Sequence, residues 1–167
     1  MSAAAEHLKQ WLTPIFTVLA IFAAAAGSAI VVLIGVSVAM RHIANAPLHF
    51  TEELVGLLMT AAFFLALPLV TLKGDHVRVS ILVANLPENA RRWTAAVAGT
   101  FGVVFCIWYF ALCVPWLEFA FDRNLKTEVA RLLMYPWMGL LPICLLMTAV
   151  AFAVRGLGVQ NKDPVNF

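Results

Sequence analysis

The sequence predicts an all-α integral membrane protein: four transmembrane helices, both tails cytoplasmic, and a short interfacial helix between helices 2 and 3. Three observations carry this. The 167-residue chain is 63% hydrophobic and 12% charged, whereas soluble domains lie nearer half apolar and a quarter charged. Its mean hydropathy of +0.92 implies more apolar surface than a small globular core can hide, so lipid is its main solvent. Four nearly uncharged stretches each exceed the length of about 18 residues that argues for a spanning helix.

In chain order these stretches are Leu12–Met40, Leu54–Leu72, Trp93–Leu117 and Leu132–Val154. The spans are drawn at residues 12–40, 53–72, 93–117 and 132–154 of a single four-helix membrane domain covering 1–167. The first run far outlasts a signal-peptide core of about 7–15 residues and is read as a retained helix, long enough to tilt or to project. Turn signals separate the runs: Asn45-Ala-Pro, Lys73-Gly-Asp and Asp122-Arg-Asn.

The second connection contains VRVSILVANL, from Val77 to Leu86, flanked by Lys73 and the Arg91-Arg92 pair. It is too short to span. A helix lying in the interface fits its apolar content and basic flanks. Alternation of Val77, Val79 and Ile81 with Arg78 and Ser80 fits an extended segment instead. An unpaired strand could not satisfy its backbone in lipid, which favours the helix.

Lysine and arginine set the orientation. Lys9, Lys73, Arg78, Arg91, Arg92, Arg155 and Lys162 fall on the side of the tails, against Arg41, Arg123, Lys126 and Arg131 opposite. That excess places both tails inside. Trp11 and Trp93 then lie at inner ends and Trp116 and Trp137 near outer ends, as interfacial indoles prefer.

Much chemistry is missing. The formal net charge of +2 and the lack of a separate basic block argue against nucleic acid. His7, His42, His49 and His76 sit at segment ends or in connections, not facing one another within helices as a haem would need. No HExxH or P-loop occurs. Cys106, Cys113 and Cys144 lie in apolar runs without a CxxC. No charge falls in the middle of any span, where a transporter acting alone would place its substrate groups. Pro68, Pro115 and Pro142 can kink their helices. Ala23, Gly27 and Gly35 form a small-residue face suited to close helix packing. No catalytic, cofactor-binding or metal site is expected.

The stretch HFTEELV, His49 to Val55, puts Glu52 and Glu53 at the mouth of the second span. Carboxylates at a membrane segment invite a functional hypothesis. The plainer alternative is a helix start, with Thr51 as cap and both glutamates set favourably against the helix dipole. A contact with a basic residue is the other reading, from Arg41 or Arg131 within the chain or from a partner.

These residues, in this order, resemble the small (DctQ-like) membrane subunit of tripartite ATP-independent periplasmic (TRAP) transporters. The match runs through Arg41, then Phe50-Thr-Glu52-Glu53-Leu54, then Gly74-Asp-His76-Val77-Arg-Val79, then Leu86-Pro87 and Arg91. Tyr135-Pro136-Trp137 followed by Leu141-Pro142 resembles the start of that family's fourth span. Phe50 stands where tryptophan is common, Asp75 separates Gly74 from His76, and Ser80 replaces a frequent acidic residue.

The resemblance implies a scaffold subunit of a sodium-driven secondary transporter in the bacterial inner membrane. A large multi-span subunit would carry the substrate and sodium sites, and a periplasmic binding protein would deliver organic acids such as C4-dicarboxylates, sugar acids or sialic acid. Sodium is thus expected at the large subunit, with no cofactor in this chain and membrane lipids as further partners. Arg41, Glu52, Glu53, Gly74, His76, Pro136 and Trp137 are the candidate interface or structural residues. Gly74 would permit the turn, and His76 would bond a carbonyl or lipid head group or simply be solvated. Two alternatives stand beside this reading. One is a small oligomeric transporter working alone, with Glu52 or Glu53 as coupling carboxylate. The other is a redox subunit using Cys106 and Cys113.

Overall fold

The computed structural model describes residues 3–46, 48–73 and 87–156. They form α1 (Ala3–Ile43), α2 (Thr51–Lys73), α3 (Glu88–Asp122) and α4 (Tyr135–Gly156). Each is long and apolar enough to cross a membrane. Among the described residues there is no strand, only an isolated antiparallel bridge between Lys126 and Leu133. The expected interfacial helix over Val77–Leu86, with Gly74 and His76 before it, lies outside the described residues. α4 starts at Tyr135, later than Leu132, because Leu132 is engaged in a hairpin-like turn with Thr127.

The helices pack as an open row in the order α1, α2, α4, α3. Their burial follows: 28% and 39% of the apolar windows of α2 and α4 are buried, against 6% and 11% for α1 and α3. Two core layers join α1, α2 and α4. Phe16, Leu72, Ala151 and Val154 form one; Ala23, Ala61, Leu65 and Cys144 form the other, with Trp137 and Leu140 packed against it. In lipid such contacts hold by van der Waals fit rather than by a hydrophobic drive. A polar tie supplements them: Arg155 Nη1 donates to the Thr71 carbonyl across 3.1 Å, linking α4 to α2.

α3 is attached to α4 through glycines. A Cβ built on Gly99 would lie 2.7 Å from Gly156 Cα, and one on Gly102 would lie 2.6 Å from the Phe152 ring. At Gly99 backbone meets backbone, so no side chain fits without parting the helices; at Gly102 the obstacle is the Phe152 ring. The small-residue face expected on α1 is realised only in part. Ala23 is buried, but among the described residues no other helix comes within 4 Å of a Cβ at Gly27 or Gly35. A small residue permits close approach; the approach occurs where a second small residue stands opposite, as Gly156 does for Gly99.

Lipid cannot hydrogen-bond, so helix hydroxyls must be satisfied locally. Thr17, Ser28, Thr60 and Thr94 each donate to the carbonyl four residues back, at 2.7, 3.0, 3.0 and 2.9 Å. Thr148 does the same inside the core, to the Cys144 carbonyl at 2.7 Å.

Candidate assembly site at the Glu53 end of the helices

Four helix termini meet at one end of the row: the last turns of α1 and α3 and the first turns of α2 and α4. α1 stops where Asn45 adopts a left-handed conformation (φ 51°), open to asparagine at low cost. The Met40 carbonyl then accepts the N–H groups of both Ala44 and Ala46 at 3.2 Å. α3 ends in a Schellman motif with Asn124 (φ 47°) in the left-handed position. Leu125 N–H donates to the Ala120 carbonyl at 3.0 Å and Asn124 N–H to the Phe121 carbonyl at 3.2 Å. The Arg123 guanidinium covers the Phe119 ring, 5.7 Å from its centroid.

The chain then folds back on itself before α4. Thr127 N–H donates to the Leu132 carbonyl at 2.9 Å, Leu132 N–H to Thr127 Oγ1 at 3.0 Å, and Met134 N–H to the Leu125 carbonyl at 2.9 Å. The tip of this turn leans on α2. Val129 N–H donates to Glu53 Oε1 and Ala130 N–H to Glu53 Oε2, each at 2.8 Å. Arg131, next to the tip, is left-handed at φ 53°. Successive N–H groups converging on one anion through such a turn make a backbone nest.

This placement corrects two expectations. Both oxygens of Glu53 are taken by backbone N–H groups of the turn, rather than by the guanidinium of Arg41 or Arg131. Thr51 is the first helical residue, not the cap. The Phe50 carbonyl accepts the Leu54 N–H at 3.1 Å, and the buried Thr51 hydroxyl donates backwards to the Leu48 carbonyl at 3.0 Å. An N-cap oxygen would instead accept from the second or third helical N–H.

The other sequence candidates divide. Arg41 is exposed in the last turn of α1, a position that suits a cation against the helix dipole. Glu52 is exposed beside Glu53. Pro136 is exposed in the first turn of α4, where a missing N–H costs little. Trp137 is half-buried against the layer of Ala23, Ala61, Leu65 and Cys144. Tyr135 meets Phe121 edge-on at 5.7 Å and ties the start of α4 to the end of α3. Gly74 and His76 lie outside the described residues. Sequence reasoning missed Thr127, Val129 and Ala130. Two of them act through backbone N–H groups, which leave no mark in a sequence.

No curated protein and no solved structure matches the chain. Residues 30–159 match the family described as tripartite ATP-independent periplasmic transporters, DctQ component. That span takes in the termini gathered around Glu53, all of α2, α3 and α4, and every candidate residue. The chain therefore belongs to the DctQ family, as a small component of TRAP transporters and a multi-pass protein of the inner membrane.

Proposed function

We propose that this chain is the static scaffold of a sodium-driven importer of organic acids. It assembles with a large multi-span membrane subunit that carries the substrate and sodium sites, and a periplasmic binding protein supplies the cargo. Both tails face the cytoplasm, so the Glu53 end of the row faces the periplasm. The observation that carries this reading, beyond family membership, is the use made of Glu53. Of the two candidate coupling carboxylates, Glu53 accepts a backbone N–H of its own chain at each oxygen. A carboxylate so engaged supports a structural role over the alternative in which this subunit transports alone.

Co-expression with the large subunit, purification in mild detergent and reconstitution test the proposal. Expected is a stable complex that takes up organic acids only when the binding protein and a sodium gradient are both present. Uptake by this chain alone, from a monodisperse preparation, would sink it. A panel of C4-dicarboxylates, sugar acids and sialic acid then reads out the cargo.

A further inference from the structure

The turn between α3 and α4 holds more than its own fold requires. Its neck closes on itself, through Thr127, Leu132, Leu125 and Met134. Its tip does not: among the described residues, the N–H groups of Val129 and Ala130 find their acceptors on Glu53, seventy-odd residues earlier in the chain. Each takes a different oxygen at 2.8 Å, the short distance of a charge-assisted bond. Donors arranged in this way make a receptor for a carboxylate. Nothing in the arrangement requires that carboxylate to be part of the chain.

We propose that the tip at Val129 and Ala130 is a carboxylate-binding nest, filled in cis by Glu53, which latches the α3–α4 turn onto the first turn of α2. Glu53 is a tethered and replaceable ligand. When it is shortened, the nest accepts a small free carboxylate. When the nest is empty, the tip loses its attachment while the neck stays closed. Glu52, exposed beside it, takes no part. The inference rests on this geometry alone and stands whether or not the transport role above is correct.

Amide hydrogen exchange on the full chain in lipid nanodiscs tests the latch, with sodium formate as the probe. In Glu53→Gly the amides of Val129 and Ala130 are expected to lose protection, while those of Thr127 and Leu132 keep it. Formate restores protection at the tip, and sodium chloride at equal ionic strength does not. Glu52→Gly leaves both tip amides as in the parent chain. Unchanged protection of the tip in Glu53→Gly overturns the latch, and restoration by formate no better than by chloride overturns the replaceable site. Should Glu53→Gly fail to fold, Glu53→Gln reads the same contact. Its amide keeps one acceptor oxygen, so protection falls at one tip amide; retention at both overturns the proposal.

Discussion

Glutamine at position 53 would keep the volume of the side chain and remove one of its two acceptors. The new amide nitrogen would then face an N–H donor 2.8 Å away, a repulsive pairing that leaves one backbone group without a partner. Glu53→Gln should therefore lower recovery of the assembled complex and uptake several-fold, whereas Lys162→Gln, in the C-terminal tail, should leave both near the parent level. Equal and negligible effects of the two changes in pull-down and uptake assays would refute a role for Glu53 in assembly. Arg155 is the second residue whose work is structural. The sequence counts it only as one more positive charge on the side of the tails. In the fold its guanidinium reaches the Thr71 carbonyl on α2, and Thr71 itself is fully buried. Loss of such a charged donor costs about 1.5 kcal/mol. Arg155→Gln should lower the melting temperature of the detergent-solubilised chain, and Arg155→Lys should recover part of it. An unchanged melting curve for Arg155→Gln would remove the tie from the account.

At the scale of elements, α3 leans chiefly on α4 among the described residues. Its attachment depends on Gly99 lying against Gly156 and on Gly102 lying under Phe152. A side chain at Gly99 meets backbone, which can yield only if the helices part. One at Gly102 meets a ring, which can turn. Overfilling a packed contact costs about 1–3 kcal/mol, so Gly99→Leu should destabilise the chain by that order and Gly102→Ala by less. Gly27→Leu enters open space and should change the isolated chain by no more than about 0.5 kcal/mol. Thermal denaturation in one detergent compares the three. If Gly27→Leu proves as damaging as Gly99→Leu, the glycine contact is not what holds α3. These same glycines show why packing faces were harder to read than helices. Ala23, Gly27 and Gly35 advertise a small face on α1, yet among the described residues only Ala23 is buried against another helix. Gly99 acquires its meaning from Gly156, far along the chain, and no local pattern links the two.

On the scale of the whole molecule, the number of helices and their rough extents were legible because lipid imposes a length on every apolar run. The DctQ resemblance was legible because its motifs fall at helix ends in a set order, and the match over residues 30–159 covers them. The contact order was not legible, since four apolar helices of similar character can be arranged in several ways. The Glu53 site was legible only in its glutamate. Its other half consists of backbone N–H groups presented by a turn whose left-handed residues, Asn124 and Arg131, are not glycines. The arrangement itself can be tested with the native cysteines. In the order α1, α2, α4, α3, a closed bundle would bring α3 against α1, and an open row keeps them apart. Ala61 and Cys144 share a core layer across α2 and α4, so Ala61→Cys should cross-link to Cys144 with a short thiol reagent. Gly27 and Cys106 lie at similar depth, about 24 Å and 20 Å beyond Trp11 and Trp93 at 1.5 Å per residue, on helices at opposite flanks. Gly27→Cys should therefore give no cross-link to Cys106 within one chain, read as unchanged mobility on a denaturing gel. An efficient Gly27→Cys to Cys106 product would mean that the row closes in the membrane, and α1 and α3 would then no longer be free to meet lipid or a partner along their exposed sides.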